Sequence, residues 1–265
     1  MGKVIGIISI KGGVGKTTAV SNLGAVLSRN FSKKVLLVDA NFSAANLGLH
    51  LGIVNPEITL QDVLTGKKSV KDAIQKHDIG FDILPAGIVP KKVDPLKLKD
   101  KLAEIKNDYD FILIDSSPAL NEEILGAMTA SDELLVITSP DYPTLSCTMH
   151  AVKIAKRKGV PITGLVLNKT RGKSFELSME DIENACNVPI VAVLPDDVKV
   201  MEALAETTPH SVHSPYAEGA IEYKKLAAAI SGEKYADPRL FSKMKSFFSS
   251  TIPRQEINRE ILREE

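Results

Sequence analysis

Apolar residues in this chain fall into two kinds of segment. Seven short runs are almost continuously apolar, which is typical of parallel strands buried on both faces of a sheet. The predicted strands are Val4–Ile10, Lys33–Ala40, Phe81–Pro85, Phe111–Asp115, Glu133–Thr138, Ile162–Leu167 and Ile190–Leu194. In the other kind of segment, apolar residues recur at helical spacing.

The helical segments lie between these strands. One runs from the end of the first strand through Leu23 and Leu27, and a short helix is expected within Asn41–Gly52. The others are Leu60–Leu64, Val70–Ile74, Pro95–Ile105, Glu122–Ala130, Leu145–Lys158 and Glu176–Cys186. Alternation of short strands with helices predicts an α/β fold, a single doubly wound, mainly parallel sheet with helices on both faces.

The pattern changes after Lys234, so we divide the chain into a domain at 1–233 and a C-terminal tail at 234–265. An amphipathic helix is predicted over 238–249, with basic residues opposite its apolar side. The apolar side consists of Leu240, Phe241, Met244, Phe247 and Phe248. Such a helix suits an anionic membrane surface, although docking on its own domain or on a dimer partner is the alternative. Pro253 then ends it, and the charged segment 254–265 is either a further helix or frayed.

The composition of the chain argues against several classes of protein. At 265 residues and 44% hydrophobic, the chain suits one sizeable domain, and its formal net charge of zero provides no global attraction to nucleic acid or lipid. Cys147 and Cys186 are far apart and form no CxxC, which argues against a disulfide framework, a zinc site or a cluster. No apolar run approaches the roughly 18–20 residues that span a bilayer. The first strand leaves no room for a signal peptide, so a cytoplasmic protein is expected.

A glycine-rich loop follows the first strand and leads directly into a helix. Its members are Gly12, Gly13, Val14, Gly15, Lys16, Thr17 and Thr18. Glycines let consecutive backbone N–H groups face phosphate oxygens, and the helix adds the positive end of its dipole. Lys16 is expected to reach the β- and γ-phosphates, Thr17 to bind Mg²⁺ and Thr18 to bond the α-phosphate. This P-loop predicts ATP and Mg as cofactors.

A lysine also precedes these glycines. With Lys11 in place, KGGVGKTT resembles the deviant Walker A motif of the MinD/ParA family of ATPases. The resemblance extends from about residue 3 to residue 232 and is closest to MinD-like proteins. It implies an ATP-dependent homodimer in which Lys11 crosses the interface to the partner's phosphates. A cation supplied in this way ties dimerisation to the γ-phosphate and stabilises charge in the transition state.

Acidic and amide residues at strand ends complete the predicted centre. Asp115 ends its strand at the edge where ligands of parallel sheets gather, and we expect it to orient Mg²⁺ through water. In the family, an acid corresponding to Asp39 belongs to the magnesium shell, and an asparagine corresponding to Asn46 lies at the interface. The family's second acid, which positions the attacking water, is replaced here by Asn41.

The replacement at Asn41 bears on hydrolysis, because an amide can orient water but cannot accept its proton. Among the expected catalytic residues, Lys11, Lys16 and Asp39 follow the family pattern and Asn41 departs from it. Two explanations fit: a naturally slow ATPase, or an engineered change that traps ATP.

The resemblance also implies a base pocket, in which Asn168 bonds the adenine edge and the Pro195-Asp196 segment packs on the ring.

Two histidines and a group of lysines are interpreted as solvated side chains. His210 and His213 have neither acidic nor cysteine neighbours in sequence that would suggest a metal site. A lysine group is interpreted as a solvated face rather than a DNA contact, because no aromatic residues are interleaved with it. This group comprises Lys91, Lys92, Lys97, Lys99 and Lys101.

Two functional interpretations remain. The first is a MinD-like ATPase that positions a cellular structure, binds an unidentified protein partner or activator, and associates in its ATP state with the inner face of the cell membrane. The second is a ParA-like, ATP-loaded scaffold for DNA or cargo protein. The tail favours the first interpretation. An iron–sulphur electron donor would need cysteine ligands that this chain lacks.

Overall fold

One eight-stranded sheet organises the computed structural model, which describes residues 2–89, 91–237 and 253–264. Its strands are β1 Lys3–Ile8, β2 Val35–Ala40, β3 Gln75–Lys76, β4 Asp82–Leu84, β5 Phe111–Ser116, β6 Glu133–Thr138, β7 Ile162–Thr170 and β8 Ile190–Pro195. Their order is β3-β4-β2-β5-β1-β6-β7-β8. All neighbouring pairs are parallel except β3–β4, an antiparallel pair at one edge. The predicted doubly wound, mainly parallel sheet is confirmed.

Helices cover both faces of the sheet. They are α1 Lys16–Phe31, α2 Leu47–His50, α3 Leu60–Leu64, α4 Val70–Ala73, α5 Leu98–Ala103, α6 Glu122–Ala130, α7 Tyr142–Lys158, α8 Met179–Cys186, α9 Lys199–Ala205, α10 His210–His213, α11 Glu218–Ser231 and α12 Arg254–Glu264. One core joins α1 and α11 to one sheet face. The opposite face carries two further cores. The first contains residues of α3, α5 and α6, and the second contains residues of α6, α7 and α8. Consecutive apolar residues of each strand are therefore buried, as the continuous runs required.

The pairing register of the strands brings two acidic residues, Asp39 and Asp115, next to each other. Asp39 on β2 pairs directly with Asp115 on β5, and Ile7 on β1 lies on the other side of Asp115. The P-loop leaves β1 just beyond this point. The three neighbouring strands thus deliver the loop and both carboxylates to the same edge of the sheet, as expected for parallel strands.

Several elements differ from the predictions. Helix α7 begins at Tyr142 rather than Leu145, because the Asp141 carboxylate accepts the Thr144 N–H and caps the helix there. The stretch Glu176–Cys186 becomes helical only at Met179, where Ser178 provides the cap. Strand β3 and helices α9, α10 and α11 were not predicted. The spacing of Tyr223, Ala227 and Ile230 was a signal that could have found α11.

The predicted amphipathic helix over 238–249, with Leu240, Phe241, Met244, Phe247 and Phe248, lies outside the described residues. The charged segment beyond it is helix α12, which resolves the choice between a helix and a frayed end. Arg259 of α12 is 1% exposed and donates hydrogen bonds to the Val191 carbonyl of β8 at 3.0 Å and to Glu222 of α11 at 2.7 Å. The end of the tail is thus packed against the sheet. No helix in the described parts of the chain combines the length and apolar character needed to cross a bilayer.

Candidate functional site

The P-loop borders a cleft of about 320 Å³ at the carboxyl edge of the sheet. Gly13 and Gly15 have φ angles of 76° and 100°, a region that glycine enters without steric cost, and α1 begins at Lys16 immediately afterwards. Predicted residues lining the cleft are Gly12, Gly13, Gly15, Lys16, Thr17, Thr18, Asn41, Asn46, Asn168, Pro195 and Asp196. The backbone curls before a helix N-terminus, the arrangement that binds phosphate.

Thr17 links the P-loop to the acidic strand ends. Its hydroxyl donates to Asp115 Oδ2 at 2.6 Å and lies 3.1 Å from Asn46 Oδ1. Lys16 is buried beside them; burial lowers the pKa of its ammonium, and the charge of Asp115 opposes that shift. The structure therefore brings together four predicted residues from three separate segments.

Asp39 lies behind this group and orders the loop that follows β2. Its Oδ1 accepts the Asn41 N–H at 3.1 Å, while Oδ2 accepts the N–H groups of Asn46 and Leu47 at 3.1 and 3.0 Å. Burial raises the pKa of Asp39 and the adjacent Asp115 charge raises it further, against the effect of those N–H donors. Both predicted acids are thus in place, and Asp39 also holds Asn41 and Asn46.

The chemistry of these groups fits a divalent cation. Asp115 Oδ1 is buried and has no hydrogen-bond partner among the described residues, whereas Oδ2 accepts from Thr17. Burial raises the pKa of Asp115, with the Thr17 hydroxyl and the Lys16 charge acting the other way. A buried carboxylate oxygen without a donor is costly, and a hard cation or its bound water would satisfy it. A hydroxyl and carboxylates are the oxygen ligands that Mg²⁺ prefers.

Asn41 is engaged with its own loop. Its amide Nδ2 donates to the Ala44 carbonyl at 2.7 Å, and its Oδ1 lies 3.4 Å from the Ser43 hydroxyl. Ser43 in turn lies 3.1 Å from Glu123 Oε2 on α6. Asn41 is 5% exposed and faces the cleft. The Ser43 hydroxyl therefore lies between the Glu123 carboxylate and the Asn41 amide oxygen and can donate its one proton to either, a relationship the sequence did not reveal.

Lys11 occupies a different position from Lys16. Its ammonium lies 3.3 Å from Asp141 Oδ1 at the N-terminus of α7, and both side chains are partly exposed. The described P-loop residues that line the cleft begin at Gly12. The two lysines of the motif therefore have different surroundings: Lys16 lines the cleft, and Lys11 pairs with Asp141.

The predicted base pocket forms the far end of the cleft. Asn168 Nδ2 donates to the Val14 carbonyl at 2.7 Å, and its Oδ1 accepts the Lys169 N–H at 2.9 Å. Pro195 ends β8 here, and Asp196, the next residue, pairs with the Arg171 guanidinium at 2.8 Å. Asn168 thus contacts the P-loop while it retains one N–H and one oxygen lone pair for a ligand.

Sequence reasoning missed other residues of this cleft. Tyr223 of α11 lines it. The solvated role given to His210 is wrong: this residue of α10 is 2% exposed, lines the cleft and has its Nε2 3.6 Å from Asp197 Oδ2. Lys169 lines it as well and donates to the Gly13 carbonyl at 2.8 Å.

The lysine group interpreted as solvated lies outside the lining of this cleft. Two of its members form ion pairs, Lys91 with Asp62 and Lys101 with Glu104.

The chain is similar in sequence and in fold to several known proteins. A family described as an AAA domain matches residues 2–158. An uncharacterized ATP-binding protein of Methanocaldococcus jannaschii is 36% identical over 255 residues, covering 95% of this chain and 96% of its own. The septum site-determining protein MinD of Thermotoga maritima is 30% identical over 244 residues, covering 88% of this chain and 89% of its own. The solved structure of MinD from Pyrococcus horikoshii OT3, complexed with Mg-ADP, has a TM-score of 0.81 at 35% identity, covering 86% of this chain and 95% of that one.

Proposed function

This chain belongs to the MinD/ParA family of P-loop ATPases, and we propose that it is an ATP-dependent dimerising switch that positions a cellular structure and hydrolyses ATP slowly. The observation that carries the proposal is the separation of the two lysines of the P-loop. Lys16 lies in the cleft, where it contacts phosphates of the chain's own ATP. Lys11 does not line the cleft and is paired with the partly exposed Asp141, from which it would move to ATP held by a second copy. Dimerisation then requires the γ-phosphate.

Within one subunit, the P-loop N–H groups and Lys16 bind the phosphates of ATP. Thr17 and Asp115 would hold Mg²⁺, which would supply positive charge to neutralise the phosphates. Asp39 orders the loop that carries Asn41 and Asn46. Asn41 orients the attacking water, and the products are ADP and phosphate. Since an amide accepts no proton at neutral pH, hydrolysis is slow.

At the other end of the cleft, Asn168 distinguishes adenine. Its remaining N–H and oxygen lone pair match the acceptor and donor that the N7 and N6 edge of adenine presents. Pro195 and Asp196 pack beside the ring, and the ion pair between Asp196 and Arg171 holds that segment in place. ATP and Mg²⁺ are thus the proposed cofactors.

Membrane association in the ATP state rests on the sequence of 238–249. A single short interfacial helix binds weakly, whereas two copies brought together in a dimer gain avidity. We place the ATP-bound protein on the inner face of the cell membrane and the ADP-bound protein in the cytoplasm. A protein partner or activator recognises the dimer.

Sedimentation of the full chain with Mg-ATP and with Mg-ADP tests the dimer. We expect a dimer in ATP, a monomer in ADP, and loss of the ATP dimer in Lys11→Ala with ATP binding retained. Lys34→Ala is the matched control, because Lys34 lies at the opposite edge of the sheet, before β2. A monomer in both nucleotides would refute the switch, and absence of nucleotide binding would refute the ATPase.

Co-sedimentation with anionic liposomes tests the membrane proposal. Deletion of 238–265 is unsuitable, because it also removes the buried Arg259 of α12. Replacing Phe241 and Phe247 by Ser keeps α12 and removes apolar surface from the amphipathic segment. We expect ATP-dependent pelleting of the wild-type chain and its loss in the double variant. Absence of pelleting in ATP, with DNA or cargo binding present, would favour the ParA-like alternative.

A further inference from the structure

Two consecutive residues at the end of β7 bond two consecutive carbonyls of the P-loop. Asn168 Nδ2 donates to the Val14 carbonyl at 2.7 Å, and Lys169 Nζ donates to the Gly13 carbonyl at 2.8 Å. These contacts join positions separated by more than 150 residues in the chain. The connection, which we call the β7 latch (Asn168 and Lys169), acts on the part of the loop that has to face phosphate.

The backbone of the latch is in an unusual conformation. Lys169 has a φ of 60°, in the left-handed region that residues with a side chain rarely adopt. In this conformation the Lys169 N–H donates to Asn168 Oδ1 at 2.9 Å. That bond fixes the orientation of the amide, so that Nδ2 faces Val14. A left-handed lysine costs free energy, and such strain is typically retained at functional sites.

The geometry of the peptide bond relates the latch contacts to the direction of the P-loop N–H groups. In a trans peptide the C=O and N–H groups point in opposite directions. Since the carbonyls of Gly13 and Val14 point to the latch, the N–H groups of Val14 and Gly15 point away from it. Gly15 also allows the close approach of Asn168, because a Cβ on this glycine would lie 2.4 Å from Asn168 Nδ2.

We propose that Lys169 is a positioning residue for nucleotide binding: with Asn168, it holds the P-loop peptides so that their N–H groups face the phosphates before ATP arrives. The inference rests on the proposed ATP binding. It assigns Lys169 a role different from those of Lys11 and Lys16, since its ammonium bonds a P-loop carbonyl rather than Asp141 or the phosphates. Pre-oriented N–H groups bind an anion without the cost of reorganising the loop.

Substitutions at Lys169 separate this role from a purely structural one. Lys169→Gly removes the ammonium and relieves the strained backbone, so we expect an unchanged or higher melting temperature together with about tenfold weaker Mg-ADP binding. Lys169→Arg keeps the charge and the donors, and it should restore affinity to within about threefold of the wild type. Lys169→Asn, which tolerates the left-handed region, is the second test variant. Unchanged ADP affinity in both Gly and Asn variants, or a loss that only follows a fall in melting temperature, would overturn the proposal.

Two further measurements separate positioning from simple attraction of the lysine to phosphate. In nucleotide-free protein, the NMR amide signals of Val14 and Gly15 should shift and broaden in Lys169→Gly and remain in place in Lys169→Arg. The affinity difference between the wild type and Lys169→Gly should persist at high salt, where exposed charges are screened. Unperturbed amide signals, or a difference that disappears in salt, would refute the latch. If the wild-type chain binds no nucleotide, the proposed function fails, and the amide signals still test the latch.

Discussion

The Lys11 ammonium is paired with the Asp141 carboxylate at 3.3 Å, across 130 residues of sequence. Asp141 is also the N-cap of α7 and accepts hydrogen bonds from the Thr144 N–H and from the hydroxyls of Ser139 and Thr144. A lysine that crosses to a partner's phosphate has to leave this carboxylate. In our proposal the ion pair therefore competes with dimerisation.

Asp141→Asn should strengthen the ATP dimer. Asparagine keeps the helix cap but loses the charge that holds Lys11. Because both side chains are partly exposed, each pair contributes at most about 1 kcal/mol. A symmetric dimer breaks two such pairs, so a gain of up to roughly 30-fold in the dimerisation constant is expected from sedimentation equilibrium in Mg-ATP. Glu233→Gln, which breaks the comparable surface pair with Lys33, is the control. An unchanged or weaker dimer in Asp141→Asn would show that the pair does not compete.

The same carboxylate should produce a pH dependence of stability. Partial burial raises the pKa of Asp141, but the Ser139 and Thr144 hydroxyls, the Thr144 N–H and Lys11 outweigh it and lower the pKa to about 2. A carboxyl with a lowered folded pKa stabilises the fold above its unfolded pKa of about 3.9, and this contribution is lost as the pH falls towards 2. The difference in unfolding free energy between wild type and Asp141→Asn should thus be constant above about pH 5 and shrink between about pH 4 and 2. Urea titrations at a series of pH values measure it, and a difference that does not change with pH would contradict the assignment.

The fold and the centre of the site could be predicted because their signals are local. Continuous apolar runs marked β1, β2 and β5, and the P-loop and Asp115 directly follow or end such runs. Strand β3 could not be found, since two polar residues at an edge carry no pattern. The role of Lys169 depends on a backbone angle and on reach across the cleft, which composition does not encode.

The burial of Arg259 was also not predictable from the sequence pattern. In sequence it belongs to a charged segment that resembles a solvated helix. Its burial depends on Glu222, which lies 37 residues away on α11. Long-range pairing of charges leaves no periodic signal in the sequence, so the packing of α12 against the domain could not be predicted. The same holds for the contacts of Ser43 with Asn41 and Glu123, because Glu123 comes from a distant part of the chain.

Restoring the family's acid should accelerate hydrolysis. We expect Asn41→Asp to raise kcat by roughly tenfold or more, because a carboxylate can accept the proton of the attacking water. The Asn41 Nδ2 bond to the Ala44 carbonyl is lost in this variant, so ATP affinity has to be measured alongside turnover. Ser43→Ala, which alters the same loop without adding a base, should show no acceleration. Unchanged turnover in Asn41→Asp at saturating ATP would refute the proposal that the amide at this position slows hydrolysis.

The contact between Thr17 and Asp115 predicts the dependence of nucleotide affinity on magnesium. Thr17→Ala removes the hydroxyl that lies 2.6 Å from Asp115 Oδ2. We expect the ratio of ADP affinities with Mg²⁺ and with a chelator to fall by at least about tenfold, since losing even an outer-shell partner costs that much in metal affinity. Thr17→Ser keeps the hydroxyl and should retain the ratio. Equal ratios in all three proteins would place the cation elsewhere.

The buried arginine of α12 allows the sharpest test of the docked C-terminus. Arg259 Nη1 donates to Glu222 Oε2 at 2.7 Å and Nη2 lies 3.0 Å from Glu256 Oε1. Arg259→Met keeps much of the apolar stem but leaves the buried Glu222 with only Lys225, whose Nζ lies 3.8 Å from its Oε1, so the free energy of unfolding should fall by about 3 kcal/mol.

Arg263→Met is the matched control for this variant, because Arg263 pairs with the largely exposed Glu260 three residues earlier in the same helix. Its loss should cost no more than about 0.5 kcal/mol. Adding Glu222→Gln to Arg259→Met should recover part of the stability, because a neutral amide is less costly to bury than a carboxylate that has lost its arginine. Urea unfolding of the four proteins measures these differences. Equal, small effects at Arg259 and Arg263 would show that α12 is not held to the domain by its buried charge pair.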